Sequence, residues 1–324
     1  MLSALKFVQG AIGKRDYIPA ITHFLIEDGR VIAFNGNMAL SSPIPLDINC
    51  MPRANDLIKA LSNCSDTITM SLTTTGRLKV QSGAFKAFVQ CTTVEAPHPK
   101  PSGETIDING DVLMEALNTL SPFVGTDASR LWMNGILLDG NSAYATNNTI
   151  LVQYWTGFNL PHKLNIPRQT VNEMLRIGQP PLSAQVDHNS ATFYYEDDRW
   201  IRTQLFADDW PNLDRILSVE SNPKPISDDI FKGLETIKPF VDGSGRFYIR
   251  HGKVWTHDPD LEEHVDAGAS YDISDTTTDA MFNIEMFLIL KNRIDTIDLS
   301  KFADGKPCPF FKGNLRGVIV GMKL

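Results

Sequence analysis

Cysteine is scarce in this chain, and it occurs in no metal-binding or disulfide pattern. Cys50, Cys64, Cys91 and Cys308 lie far apart in the 324 residues and form no C-x-x-C pair. That spacing argues against a structural zinc site or a disulfide framework and predicts isolated thiols buried in sheets. Long apolar runs are missing too. No stretch approaches the roughly 18 apolar residues of a membrane span, so no transmembrane helix and no membrane partner are expected. The opening MLSALKFVQGAIGKRD lacks the basic and long apolar regions of a secretory signal. It reads as an amphipathic helix, and a cytoplasmic, reducing location is expected.

Catalytic signatures are also absent. The sequence has no G-x-x-x-x-G-K-[ST] loop, no G-x-G-x-x-G, no H-E-x-x-H and no G-x-S-x-G. Gly243-Ser244-Gly245 is a lone turn. His251, His257 and His264 lie near Asp258, Asp260, Glu262 and Glu263, but their H-x5-H-x6-H spacing matches no zinc signature. The carboxylate pairs Asp197-Asp198 and Asp208-Asp209 have no nucleophile beside them and read as solvated turns. The expectation is a protein without catalysis, cofactor or metal. Net positive charge is missing as well: 30 Lys and Arg stand against 38 Asp and Glu, a formal charge of -8. A nucleic-acid partner would require positive charge gathered on one face of an acidic protein.

What is present is a repeated pattern. An amphipathic helix starts at Ser3, with Leu5, Val8 and Ile12 on one face. Segment 23–36 is a hairpin around Asp28-Gly29. A helix spans 53–63, with Leu57, Ile58 and Leu61 inward, and three short strands fill 67–91. The Pro-rich stretch 95–104 reads as a linker. The order then recurs: a helix at 110–121, hairpin strands at 131–146, a helix at 168–177 after Pro167, and three strands over 183–206. A third round follows the stretch 221–227. It has a helix at 227–237, strands at 246–257, a helix at 283–293 and terminal β-type runs. Three cycles of about 110 residues imply an α+β architecture of three repeated domains, 1–100, 105–218 and 222–324, each with two helices on antiparallel sheet.

The helix faces turned away from the sheets carry Lys6, Lys14, Arg53, Lys59, Arg168, Arg176, Lys232, Lys238, Lys291 and Arg293, with Arg15 in the first loop. Read alone, these are either ordinary solvated faces or one shared basic surface.

Several segments, in order, resemble the bacterial DNA polymerase III beta subunit family of sliding clamps, particularly its shorter phage-encoded members. MNGILLDGNSAYATNNTILVQ (133–153) is similar to the family's middle-domain run ending ATDGHRL. IRTQLFADDWPNLDRIL (201–217) resembles the run closing that domain. MFNIEMFL (281–288) resembles a third-domain helix start, and VIVGMKL (318–324) resembles the C-terminal VVMPMRL. The resemblance implies three domains of one topology and two chains closing into a six-domain ring. It further implies duplex DNA held without base readout, a DNA polymerase and a clamp loader as partners, and no enzymatic activity.

Residue by residue, the resemblance implies DNA contacts by the basic residues above. Trp132 falls either near the hole or in a core strand. It implies a peptide groove at Met133, Thr146, Leu151, Pro211, Arg215, Ile216, Val318, Val320, Met322 and Leu324, positions that core packing alone would also explain. A homodimer interface is implied at Phe88 and Val89 on one side and His264 and Val265 on the other. The family's Asp-Gly-His-Arg is Asn147-Asn148-Thr149-Ile150 here, and its C-terminal Pro is Gly321, so the groove rim differs. The competing expectations are a metal-dependent hydrolase acting on DNA and a clamp-fold interaction protein that does not encircle DNA.

Overall fold

The computed structural model describes residues 1–14, 19–94, 98–264, 267–273 and 278–322, with backbone alone for Pro19 and 262–264. Its helices are α1 (Leu2–Val8), α2 (Ala54–Ser62), α3 (Gly110–Leu120), α4 (Arg168–Ile177), α5 (Leu213–Leu217), α6 (Asp228–Ile237) and α7 (Ile284–Leu288). Contacts group the chain into two compact units, Met1–Met114 with Leu160–Phe206 and Glu115–Asn159 with Ala207–Leu324. Each unit draws on more than one of the sequence cycles.

The first unit is built on a seven-stranded sheet. Its order is Leu25–Glu27, Arg30–Phe34, Met38–Pro43, Arg199–Gln204, Ser190–Tyr195, Ser183–Asp187 and Glu104–Ile106. Asp28 and Gly29 turn the first hairpin with φ 51° and 70°, the left-handed values that a tight two-residue hairpin loop requires. Strands from distant parts of the chain meet where Trp200, Ile201, Arg202 and Thr203 pair antiparallel with Ser41, Leu40, Ala39 and Met38. A separate three-stranded sheet joins Ile68–Leu72, Leu78–Ser82 and Phe85–Val89.

Three amphipathic helices of this unit bury one face each. α1 buries Ala4, Leu5, Phe7 and Val8, and α2 buries Ala54, Leu57, Ala60 and Leu61. α4 follows Pro167 and ends on Gly178, which donates its N–H to the Met174 carbonyl and turns the chain out of the helix with a left-handed φ of 67°. α4 also buries a carboxylate. Glu173 is 6% exposed, and Arg176 neutralises it with two hydrogen bonds of 2.5 and 2.9 Å while donating a third to the Phe7 carbonyl at 2.8 Å. Burial pushes the neighbouring Tyr195 hydroxyl well above its ordinary pKa, and the Glu173 charge adds to the effect. Gly10 faces the same carboxylate so closely that a Cβ would overlap it.

The second unit has a six-stranded sheet ordered Lys224–Pro225, Thr296–Ile297, Cys308–Lys312, Leu315–Ile319, Ile150–Pro167 and Gly135–Thr146. The long strand Ile150–Pro167 gives its last residues to the first unit. A four-stranded sheet orders Ser270–Asp272, Lys253–Trp255, Arg246–Arg250 and Ala280–Asn283. It carries an aromatic core of Phe231, Phe247, Phe282 and Phe287 with ring centroids 5.1–6.1 Å apart. Ser227 caps α6, and Asn283 caps α7.

Four local expectations need correction. The first helix begins at Leu2 without a side-chain cap and ends at Val8. Residues 9–11 tighten into a 3-10 turn, which leaves Ile12 outside the helix. Segment 131–146 is no hairpin but a 3-10 turn at Leu131–Asn134 and one strand from Gly135 to Thr146. Gly140 takes a left-handed φ of 58° within that strand, and the chain reverses later, beside Asn148 at φ 75°. α7 stops at Leu288 because the following N–H groups of Leu290 and Lys291 bond to carbonyls three residues back. Finally, the cysteines are not all isolated or buried. Only Cys308 is buried. The Cys50 and Cys91 thiols influence each other, which draws Cys91 down to about 7 and raises Cys50.

Gly10→Ala forces a methyl group into the Glu173 carboxylate, which Arg176 holds in place. Overpacking of this kind costs about 1–3 kcal/mol. A urea titration should show a lower unfolding midpoint for the variant, and an unchanged midpoint would show that the helix end shifts freely.

Candidate nucleic-acid interface and apolar groove

The basic side chains of the first unit are only partly on helices: Lys14 lies in a bend beyond the 3-10 turn that follows α1, and Arg53 precedes α2. Lys6 on α1 and Lys59 on α2 are exposed. Lys14 and Arg53 line one recess of about 470 Å³ with Gln9, Thr22, Asn55 and Ile58, and no carboxylate lines it. Arg168 is exposed as the first residue of α4. Lys6, Lys14, Lys59 and Arg168 form no ion pair among the described residues. Arg176 differs, since its guanidinium is committed to Glu173 and Phe7. Arg15 lies outside the described residues.

In the second unit most of the corresponding charges have internal partners. Lys238 pairs with Glu285 at 2.8 Å, and Lys291 pairs with Glu235 at 2.6 Å. Arg293 donates to the Ile289 and Lys291 carbonyls. Lys232 is exposed and forms no ion pair among the described residues. An exposed pair contributes little to stability, but each one cancels a charge that a polyanion would otherwise feel.

The second unit also carries an apolar cluster at its surface. Leu151, Leu217 and Val318 are buried against one another, and Tyr144, Trp210, Leu213 and Ile216 pack on them. Sheet register makes this possible, because Leu151 and Val318 are direct cross-strand partners. α5 supplies Leu213, Ile216 and Leu217, and Asn212 fixes its start by accepting the Arg215 N–H at 3.2 Å. Of the expected groove residues, Leu151, Ile216 and Val318 therefore belong to one cluster. Pro211 and Arg215 are exposed, Val320 is 46% exposed, and Met322 is half-buried with its N–H on the Met281 carbonyl. Met133 is buried, and Thr146 is buried with its hydroxyl on the Ile150 carbonyl. Trp132 stacks edge-on against Trp210 at 5.0 Å, so it stands with the groove residues. Leu324 lies outside the described residues.

Phe88 and Val89 lie on Phe85–Val89, an edge strand of the three-stranded sheet. Val89 is buried, while Phe88 is 48% exposed between Arg77 and Lys86. His264 ends a 3-10 segment and its side chain is not described; Val265 lies outside the described residues. Asp258 and Asp260 pair with Arg250. Among the described residues, no group of three His, Cys, Asp or Glu could hold a metal ion. Asp197 and Asp198 form a left-handed turn and pair with Arg199 and Arg30. Asp208 and Asp209 are exposed.

No protein-family model matches the sequence, and no curated protein matches it. Solved structures do match along the whole chain. A DnaN sliding clamp (DNA polymerase III subunit beta) from Bartonella birtlesii, bound to griselimycin, superposes with a TM-score of 0.83 at 16% identity. A DNA polymerase sliding clamp from Pseudomonas aeruginosa gives 0.83 at 15%, and the Caulobacter crescentus pol III beta gives 0.82 at 16%. Each comparison covers 100% of this chain and 97% of the other. The fold is the sliding-clamp fold. The α+β expectation and the resemblance drawn from scattered sequence runs agree with it.

Within this clamp fold, the sequence reading missed Tyr144, Trp210, Leu213 and Leu217. The i, i+4 spacing of Leu213 and Leu217 behind an Asn cap was a usable signal. Tyr144 and Trp210 join the cluster only through tertiary packing. Leu217→Ala removes a side chain that is 8% exposed between Leu151 and Val318. A loss of roughly 2–3 kcal/mol is expected from the forfeited transfer energy and the cavity left behind. Thermal unfolding of the variant measures it, and an unchanged midpoint would show the cluster to be loosely packed.

Proposed function

We propose that this chain is a DNA sliding clamp, a non-catalytic processivity factor that encircles duplex DNA and tethers a polymerase. The observation that carries the reading is the full-length likeness to solved sliding clamps, 100% of this chain against 97% of the other. In this reading residues 1–100, 105–218 and 222–324 are three domains, and two chains close head to tail. The exposed edge aromatic Phe88 stands on one side of the joint, with His264 and Val265 on the other. A homodimer loaded by a clamp loader in the cytoplasm follows.

DNA is held by charge without base readout. Lys6, Lys14, Lys59 and Lys232, together with Arg15, Arg53 and Arg168, meet phosphates. Arg176, Lys238, Lys291 and Arg293 serve the DNA face less, because much of their hydrogen-bonding capacity is used internally. Dispersed phosphate contacts confer no register, which suits sliding. The polymerase engages the apolar groove around Leu151, Ile216, Leu217 and Val318 through a short peptide with Leu or Phe anchors. Trp132 supports that groove through Trp210.

Two measurements test the reading. After loading, the protein should stay on nicked circular plasmid at high salt and be lost from the same plasmid made linear. Equal loss from both, with a monomer by light scattering, would leave only the fold. In equilibrium binding to linear duplex at low salt, replacing Lys6, Lys14 and Lys59 with Gln should flatten the plot of log affinity against log salt. The slope should fall by about 0.9 for each phosphate that is no longer neutralised. The double change Lys238→Gln with Lys291→Gln should leave that slope nearly unchanged, and an equal effect of the two sets would refute the division of labour.

A further inference from the structure

The sheet face that bears the groove does not end at the groove. Along Ile150–Pro167, Ile150, Val152 and Tyr154 point to one buried face, while Leu151, Gln153 and Trp155 share the other. On that second face burial falls steadily. Leu151 is 6% exposed, Gln153 is half-buried, and Trp155 is 53% exposed. The neighbouring strand keeps step, with Val318 opposite Leu151 and Arg316 opposite Gln153.

The intermediate rung is fixed by hydrogen bonds. Gln153 donates to the Tyr144 hydroxyl at 3.1 Å and the Ser142 hydroxyl at 2.8 Å, and its Oε1 accepts from Arg316 Nε at 2.5 Å. Tyr144 is itself a member of the groove cluster. The rung therefore links the groove cluster, through Tyr144 and Gln153, to Arg316. Beyond it lies a recess of about 360 Å³ lined by Gln153, Trp155, Phe311, Asn314 and Arg316. The Trp155 backbone N–H donates to the Asn314 carbonyl at 3.0 Å, which holds the strand in the sheet. Gly157, at φ 73°, lies against the indole ring, where a Cβ would stand 3.3 Å from it.

We propose that Trp155 and Arg316 form a second contact site for the same peptide that fills the groove. This rests on the groove reading above and extends it. The occupant is the stretch flanking the apolar anchor, carrying an aromatic or large apolar side chain for Trp155 and a carboxylate for Arg316. The chemistry favours that occupant. An exposed indole beside a guanidinium offers a broad apolar surface and a charged donor, the pair most enriched among energetically dominant interface residues. Gln153 occupies only the Nε of Arg316, and its Nη groups make no hydrogen bond among the described residues. They are available to a carboxylate. Spacing sets the length. Trp155 is four steps along the strand from Leu151, roughly 13 Å at about 3.3 Å per residue. An extended peptide covers that distance in about four residues.

The test uses the full chain and synthetic fluorescent peptides. One is a pentapeptide with Leu and Phe anchors. Two others add four residues ending in Glu-Phe, one at each end of the anchor. One of the two extended peptides should bind wild-type protein about tenfold more tightly than the anchor alone. Trp155→Ala should abolish that gain and leave the affinity for the anchor unchanged, whereas Trp155→Phe should retain most of it. Arg316→Gln should reduce the gain several-fold and remove its salt dependence. No gain from either extension, or a gain that survives Trp155→Ala, overturns the second site while leaving the groove intact. If wild-type protein fails to bind even the anchor, the groove reading falls and the second site falls with it.

Discussion

Everything else in this molecule depends on backbone pairing between strands that lie far apart in sequence. Met38–Pro43 pairs with Arg199–Gln204, and Leu315–Ile319 pairs with the start of Ile150–Pro167. Without those two ladders the chain would expose four more strand edges, each a row of unsatisfied N–H and C=O groups open to aggregation. Register matters as much as pairing. With Val318 opposite Leu151, the apolar side chains of both strands reach the face that α5 covers. A slip of one residue would turn Val318 to the opposite face and bring Gly317 or Ile319 in its place. The apolar cluster is thus a consequence of register before it is a consequence of composition.

This division explains what the sequence could reveal. Local chemistry was legible: Asp28-Gly29 turns a hairpin, Pro167 precedes a helix, and Ser227 caps one. The run 131–146 reads as a hairpin, yet one strand runs from Gly135 to Thr146 straight through Gly140 at its left-handed φ of 58°. Cross-strand partners between distant segments leave no local mark, so neither long ladder was readable from periodicity. Charge signs were legible but their pairings were not. Nothing in the run 283–293 announces that Lys291 reaches back to Glu235. Groove residues became identifiable only through scattered resemblance. Trp210, which completes the cluster, sits in a loop with no periodic signal.

The paired lysines bear on how an acidic protein could hold DNA and still move along it. Affinity for a duplex rises steeply with the number of phosphates neutralised. If every basic residue of the helix faces engaged a phosphate, the interactions would accumulate into tight, salt-sensitive binding. Glu235, Glu285 and Glu173 cancel part of that charge within the protein. What remains in the first unit is a smaller set of exposed lysines without ion pairs among the described residues, which on the clamp reading would follow phosphates without fixing a position. On the clamp reading, retention comes from ring closure, and moderate charge is a requirement for movement.

On the clamp reading, the rim of the groove differs in its side chains from the family run it resembles. Where the sliding-clamp run that segment 133–153 resembles has Asp-Gly-His-Arg, this chain has Asn147-Asn148-Thr149-Ile150. Asn147 Oδ1 accepts the N–H groups of Thr149 and Ile150 at 3.2 and 2.8 Å, the bonds a carboxylate would make. Asn148 takes the left-handed φ of 75° that would otherwise call for glycine, a conformation asparagine tolerates better than most residues. The Thr149 carbonyl still accepts the Val320 N–H at 2.9 Å, so the turn remains tied to the last strand. Asn147 and Asn148 thus fix the backbone of this turn in place of the Asp and Gly of the run it resembles. The missing elements are the charged and imidazole side chains, replaced by a half-buried threonine and a fully buried isoleucine. On the clamp reading, a peptide in this groove would meet a less polar rim, and groups farther along the same sheet face would carry more of the discrimination.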